Sequence, residues 1–214
     1  MEIRRSQEVR RDESRAKILA AAERIFARDG LAGARTDAIA ADAGVNKALL
    51  YYYFKSKTRL YEAVIEEHLR AFNLRALAVL NASGSARTLL LRYVNLHFDF
   101  ISQRHRHASL FQQLMMKGGQ PPQRLFRKYM VPRGAALRQL LARGMRQGEL
   151  RKADPFHAAV SIVALIVFYF SSATMLQLIS HSNPYTTANL KHRKQEVVQF
   201  IRHALFTQST RRNP

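Results

Sequence analysis

Apolar side chains recur every three or four residues along most of the chain, the period of an amphipathic helix, and no stretch keeps the two-residue alternation of a half-buried strand. The first such segment is predicted over 15–28, with Ile18, Ala22, Ile25 and Phe26 on one face. Asp29-Gly30 ends it, because glycine tolerates the left-handed position after a helix. A short helix starts at Thr36, a good N-cap, with Asp37 near the positive end of the helix dipole. Its inward residues are Ile39, Ala40 and Ala43, and Gly44 breaks it. Asn46 caps a third helix through about 52. Ser56 caps a fourth over 57–80, with Tyr61, Val64, Ile65, Leu69 and Phe72 on one side.

Asn81-Ala82-Ser83-Gly84-Ser85 reads as a linker. Helices are then expected over 86–102 and 108–116, a firm break at Gly118-Gly119-Gln120-Pro121-Pro122, and a long helix over 123–145 that Pro132 starts or kinks. Asp154-Pro155 opens a helix to about 180, and the last runs over 187–206. The predicted fold is all-α, about nine helices, with no internal repeat.

Composition supports this and removes several functions. Only 9 Gly and 6 Pro interrupt the chain, and the absence of cysteine excludes disulfides, thiolate zinc sites and thiol catalysis. Neither a Gly-x-Ser-x-Gly elbow nor a phosphate-cradling glycine motif is present. His97, His105 and His107 form the one histidine grouping, without an acidic ligand set beside it. No enzyme activity, metal or cofactor is expected.

Lys and Arg outnumber Asp and Glu by 35 to 15, a net charge of +20 that suits a polyanion: nucleic acid, anionic lipid or an acidic ligand. The first 60 residues hold +5 and the remainder +15. Charge alone gives only nonspecific attraction, so it does not locate a site. Residues 1–14 carry Arg4, Arg5, Arg10 and Arg11 and lack the apolar core of a secretory signal, so a cytoplasmic protein is expected. They read as a mobile arm, either simply solvated or touching DNA phosphates or the minor groove.

The informative constellation is 36–52: two short helices joined by Ala43-Gly44-Val45-Asn46, the layout of a helix-turn-helix whose second helix enters the major groove. Leu50 points back toward Ile39 and Phe26, leaving Lys47, Ala48, Leu49, Tyr51 and Tyr52 outward. From about 15 to 61 the chain resembles the DNA-binding domain of the TetR family of bacterial transcription regulators. The residues that carry the resemblance are Ile18-Leu19, Phe26, Asp29-Gly30, Thr36, Ile39-Ala40, Ala43-Gly44-Val45, the run from Leu50 through Lys57, and Leu60.

That resemblance implies roles. Thr36 is the expected phosphate contact of the second helix, Lys47 and Leu49 fall where base edges are read, Tyr51 and Tyr52 are paired aromatic contacts, and Lys57 meets a phosphate. With Arg35, Asn46 and Ala48 these form the expected DNA-binding set. Tyr53 and Phe54 read as structural, Phe54 as core. Two departures stand out. Thr58-Arg59 replaces the family's usual acidic residue after Ser-Lys, so Ser56 lacks a capping-box partner. Leu49 at a base-reading position suits a thymine methyl.

Residues 158–180 are 23 residues without a charge, long enough to span a membrane, which gives the alternative reading of a membrane-associated or structural helical protein. The family resemblance implies instead that helices 154–180 and 187–206 form a homodimer interface, with no membrane. It also implies a small-molecule effector pocket, for which Phe98, Phe111, Met115, Phe126, Tyr129, Met130, Phe168, Tyr169 and Met175 are the candidates. Arg92, Arg127 and Arg133 are candidate partners for an anionic head group, as in an acidic or acyl-type effector. The expected organisation is an arm and helix-turn-helix domain over 1–57 and a helical effector-binding and dimerisation domain over 58–214. Together they make a ligand-responsive regulator, expected to be a repressor on a palindromic DNA operator.

Overall fold

The computed structural model describes residues 2–103 and 120–207. They form two compact units, one of residues 2–70 and 120–123, the other of 71–103 and 124–207. Among the described residues there is no β-strand, only an isolated antiparallel bridge between Leu150 and Phe206. The predicted helix 108–116, the break at Gly118-Gly119, and Phe111, Met115, His105 and His107 lie outside the described residues.

The first unit contains α1 (Glu2–Gly33), α2 (Thr36–Asp42), α3 (Lys47–Phe54) and the first half of α4 (Lys57–Leu80). The expected mobile arm is helical from Glu2: the segment is rich in Arg and Glu and free of Gly and Pro, so nothing stops the helix extending backwards. The predicted stop appears as a kink at Gly30, whose φ of 66° only glycine adopts readily, and a last turn follows it. Ile18, Ala22, Ile25 and Phe26 of α1 are buried, as are Ile39, Leu50, Phe54, Leu60 and Tyr61 of α2, α3 and α4. Phe26 and Tyr61 meet edge-to-face with centroids 5.0 Å apart. Burying each such side chain contributes about 1.5–3 kcal/mol. Their enclosure also pushes the Tyr61 hydroxyl up to about 12.

The second unit packs the end of α4, α5 (Ala86–Ser102), α7 (Val131–Arg146), α8 (Pro155–Ser171) and α10 (Thr187–Leu205) round one core. The inward stripe of α5 is Leu89, Leu90, Tyr93, Val94, His97 and Phe98. Glu149 caps this helix from outside, accepting from the Arg87 backbone N–H at 3.1 Å and the Ser85 hydroxyl at 2.5 Å. Where α5 crosses α7, Gly144 leaves no room for a side chain: a Cβ there would lie 2.6 Å from that of Ala86.

Two predicted helices are interrupted. The stretch expected over 123–145 runs as α6 (Gln120–Leu125), a π-helical turn at Phe126–Met130, and α7. The wider turn sits immediately before Pro132, whose ring cannot accept an ordinary helical carbonyl four residues back. The helix expected to reach 180 bends by 72° between α8 and α9 (Ala173–Ser180). The Ser171 hydroxyl donates to the Phe168 carbonyl at 3.2 Å, and Ser172 leaves helical geometry at φ −108°, ψ 19°. The Tyr169 and Tyr185 hydroxyls then tie the following turn, donating to the Pro184 and Phe170 carbonyls at 2.8 and 3.2 Å. No single helix among the described residues is long and apolar enough to cross a membrane. Phe156, Val160, Val167 and Phe168 of α8, Leu178 and Ile179 of α9 and Phe200 of α10 are exposed.

His97 is 4% exposed, its ring 4.6 Å from that of Phe72 and 5.6 Å from that of Tyr93. Burial, with the nearby Arg133 charge, holds its imidazole neutral down to about 3. Below about 6.5 the unfolded chain protonates at this residue while the folded chain does not, so its contribution is complete above that pH and is lost on acidification. The loss amounts to about 1.4 kcal/mol for each pH unit. His97→Phe, which keeps a ring against Phe72, is expected to flatten the fall in stability between about pH 6.5 and 5. Denaturant unfolding of both proteins across that range checks it, and parallel curves would show that His97 does not set the slope.

Candidate nucleic-acid interface

The turn between α2 and α3 is closed by backbone geometry. Gly44 takes φ 64°, the Val45 N–H reaches the Ala40 carbonyl at 3.0 Å and the Gly44 N–H reaches that of Ala41 at 3.1 Å. Asn46 is then extended, and its Oδ1 accepts from the Leu49 backbone N–H at 2.7 Å, starting α3. Leu50 and Phe54 are buried on the inner side of α3. Lys47, Ala48, Tyr51 and Tyr52 are exposed on the outer side, with Leu49 half-buried.

The expected DNA-binding residues take different positions. Arg35 is exposed at the N-cap of α2, one residue before the predicted cap. Thr36 is instead buried, its hydroxyl 3.4 Å from that of Tyr51, because the inner face of α2 begins at that residue. Lys47 pairs with Asp37 at 2.9 Å, which holds that carboxyl below the ordinary carboxylate range through the hydrogen bond and the charge of the lysine. Lys57 is half-buried and donates to the Ala34 and Ala32 carbonyls at 3.0 and 3.3 Å, bracing the corner between α1 and α2. Ser56 caps α4 by accepting from the Arg59 N–H at 3.1 Å, and the Arg59 side chain pairs with Glu62 at 3.4 Å.

A second group stands beside α3 that the sequence reading placed elsewhere or omitted. Arg11 donates to the Tyr52 hydroxyl, and the Tyr53 hydroxyl donates to the Arg11 carbonyl at 3.2 Å. Lys55 lies 5.4 Å from the Tyr52 ring centroid, and Arg15 lies 5.6 Å from that of Phe54. Arg11, Asp12, Tyr52, Tyr53 and Lys55 line an open cleft of about 420 Å³. Only the helical continuation of the arm, invisible in apolar periodicity, brings Arg11 here. Lys55 adopts φ 63° at the end of α3, which no local signal announces.

The unit therefore presents a short helix carrying two tyrosines and a lysine, flanked by Arg35, Arg11 and Lys55. Hydroxyls and cations on a rigid helix are hydrogen-bond donors for phosphate and base edges. No group of three His, Cys, Asp or Glu side chains able to hold a metal exists among the described residues.

The effector-pocket candidates are dispersed in environment. Phe98 is buried with its ring 5.2 Å from that of Phe170, and Tyr129 is buried, whereas Met130 is half-buried. Phe126, Phe168 and Met175 are exposed, and Tyr169 is half-buried beneath the Arg193 guanidinium at 5.5 Å. Of the three candidate arginines, Arg92 and Arg127 are exposed and Arg133 is buried.

Residues 18–64 match the family of bacterial regulatory proteins of the tetR type, and residues 87–201, more than half of the chain, match the tetracyclin repressor-like C-terminal domain. The chain belongs to the TetR family. Among its relatives, the transcriptional activator FasR of Mycolicibacterium smegmatis is 38% identical over 98 residues, 46% of this chain and 45% of that protein. The repressor SCO4008 of Streptomyces coelicolor is 46% identical over 56 residues, 26% of this chain and 29% of that protein. The chain thus spans under half the length of these two relatives. It is also 29% identical to the transcriptional regulator RutR of Escherichia coli K12 over 167 residues, 76% of each. A transcriptional regulator from Saccharomonospora viridis, solved in complex with choline, superposes with a TM-score of 0.77 at 22% identity, covering 92% of this chain and 100% of that one. That likeness shows the all-α fold. The TetR family is one of regulators, not enzymes.

The Asn46 cap gives a direct test of how α3 is started. Asn46→Ala is expected to cost about 1 kcal/mol and to speed hydrogen exchange at the Leu49 amide above all. Unchanged exchange there would mean that the cap does not hold the helix.

Proposed function

We propose that the chain is a ligand-responsive DNA-binding transcription regulator, acting in the cytoplasm as a homodimeric repressor that a small-molecule effector releases from a palindromic operator. The observation that carries this reading is the outward face of α3, where Lys47, Tyr51 and Tyr52 stand on a helix whose other side is locked into the core. A helix of this kind fits the major groove, about 12 Å wide. A second copy would place another such helix about 34–36 Å away, one turn of DNA along. The exposed apolar side chains of α8, α9 and α10 support a face that a partner copy covers. The helix α4 supplies residues to both units, so it is the continuous element through which an effector bound in the second unit would act on the first. An effector releases DNA only if it binds the released state more tightly.

Selection of genomic fragments by the purified full chain at about 150 mM salt tests the reading, since phosphate-only binding is weak there. A short palindrome is expected, and recovery of no preferred sequence would overturn it. On that operator, Tyr51→Ala or Tyr52→Ala is expected to weaken binding by about tenfold while the dimer persists in size-exclusion chromatography. Lys57→Ala is expected to lower affinity and thermal stability together, since its ammonium group also braces Ala32 and Ala34.

The Lys47–Asp37 pair makes a sharper demand. In the free protein the carboxylate occupies Lys47 and faces where phosphates would approach. Asp37→Asn is expected to strengthen operator binding severalfold at low salt, with the gain shrinking as salt screens it. Weaker binding in titrations across salt concentrations would show that Asp37 positions Lys47 rather than competing for it.

A further inference from the structure

The second unit buries a positive charge that no carboxylate among the described residues answers. Arg133 on α7 is 7% exposed, and its guanidinium carbon lies 4.7 Å from the centroid of the Phe72 ring on α4. The Tyr93 hydroxyl on α5 lies near enough to favour the charged form of the arginine, which burial opposes. Its Nη1 is buried without a hydrogen-bond partner, and so is Nδ1 of His97, one turn along α5 from Tyr93. Both His97 and Phe100 stack close to Phe72, with ring centroids 4.6 and 4.9 Å away. Helices α5 and α7 thus each bring an unpartnered nitrogen to the Phe72 ring of α4. Among the described residues no acidic side chain pairs with Arg133. Buried polar groups ordinarily find partners, and buried charges find counter-charges.

We propose that Arg133, His97 and Tyr93 form the anchor of an effector site that takes a monocarboxylate with an apolar body. This rests on the reading of the chain as an effector-responsive regulator. The carboxylate accepts from the guanidinium fork of Arg133, whose planar donors match its two oxygens. His97 Nδ1 supplies a second donor, and the apolar body lies against Phe72 and Phe100. One guanidinium balances one negative charge. A neutral ligand leaves Arg133 unanswered and a cation repels it. A dianion brings a charge that neutral His97 does not match in a poorly solvated site.

The test uses the full chain and thermal unfolding with octanoate, phenylacetate, 1-octanol, octylamine and octyl phosphate at about 1 mM, where millimolar affinity is visible. Octanoate or phenylacetate is expected to raise the unfolding temperature more than 1-octanol, octylamine or octyl phosphate. Arg133→Met is expected to weaken carboxylate binding by about thirtyfold or more, and Arg133→Lys by less. Equal shifts from octanoate and 1-octanol, a larger shift from octyl phosphate, no shift from either carboxylate, or undiminished binding by a folded Arg133→Met chain would each overturn the proposal. If Arg133→Met does not fold, the wild-type comparison of octanoate with its alcohol and phosphate counterparts still decides. Fragment selection run without these compounds separates the two readings. A selected palindrome with no carboxylate binding removes only the anion site, whereas carboxylate binding through Arg133 with no selected sequence removes the regulator.

Discussion

One left-handed residue governs the first unit. Gly44 at φ 64° lets the chain reverse between α2 and α3 within a few residues, and it allows the Val45 amide to close back on the Ala40 carbonyl. The reversal sets Asn46 extended, so its side chain starts α3 at a defined residue. Leu50 and Phe54 then fall inward, buried like Phe26 and Ile39, and Lys47, Tyr51 and Tyr52 must fall outward. A residue with a Cβ at Gly44 would be strained even though the space beside it is open. The outer face is therefore a consequence of the turn and the core together, not of any property of the tyrosines.

The second unit solves the opposite problem. Beside Phe72 and Tyr93 its core buries the Arg133 cation and the neutral His97, and among the described residues no carboxylate pairs with the arginine. Burial pushes the Arg133 guanidinium down and His97 further from protonation, and the Tyr93 phenol only partly offsets this for the arginine. Such an arrangement costs several kcal/mol relative to a well-packed apolar core. The face of Phe72 recovers some of it through the attraction of a cation to the ring, about 2 kcal/mol when desolvated. The remainder is a local deficit of the kind found where a ligand, rather than the fold, completes the environment.

What the chain reveals by inspection depends on the range of the interactions. Gly44, Asn46, Ser56 and the inward Leu50 are legible because the turn and the caps are set by residues within a few positions of each other. The family resemblance, carried by the same short segment, matches the all-α fold of the described residues. The helical continuation before residue 15 was not legible, since a polar helix has no apolar period to display. The breaks at Ser172 and before Pro132 depend on a hydroxyl bonding back to its own helix and on a ring displacing a carbonyl, which period counting averages away. The burial of Arg133 was beyond reach for a different reason: Arg92 and Arg127 look the same in sequence, and only the packing of α4, α5 and α7 tells them apart.

That distinction also bears on the large positive charge. Most of the +20 sits outside the first 60 residues and gives a diffuse field that draws any polyanion and fades with salt. In water two unit charges 4 Å apart interact by about 1 kcal/mol, against about 4 kcal/mol at an effective dielectric constant of 20. An exposed arginine therefore discriminates poorly among ligands, because solvent answers it as well as a carboxylate does. Arg133 has no such alternative. Its selectivity follows from one charge in a dry place, and the exposed cations of the same unit, however numerous, contribute attraction without choice.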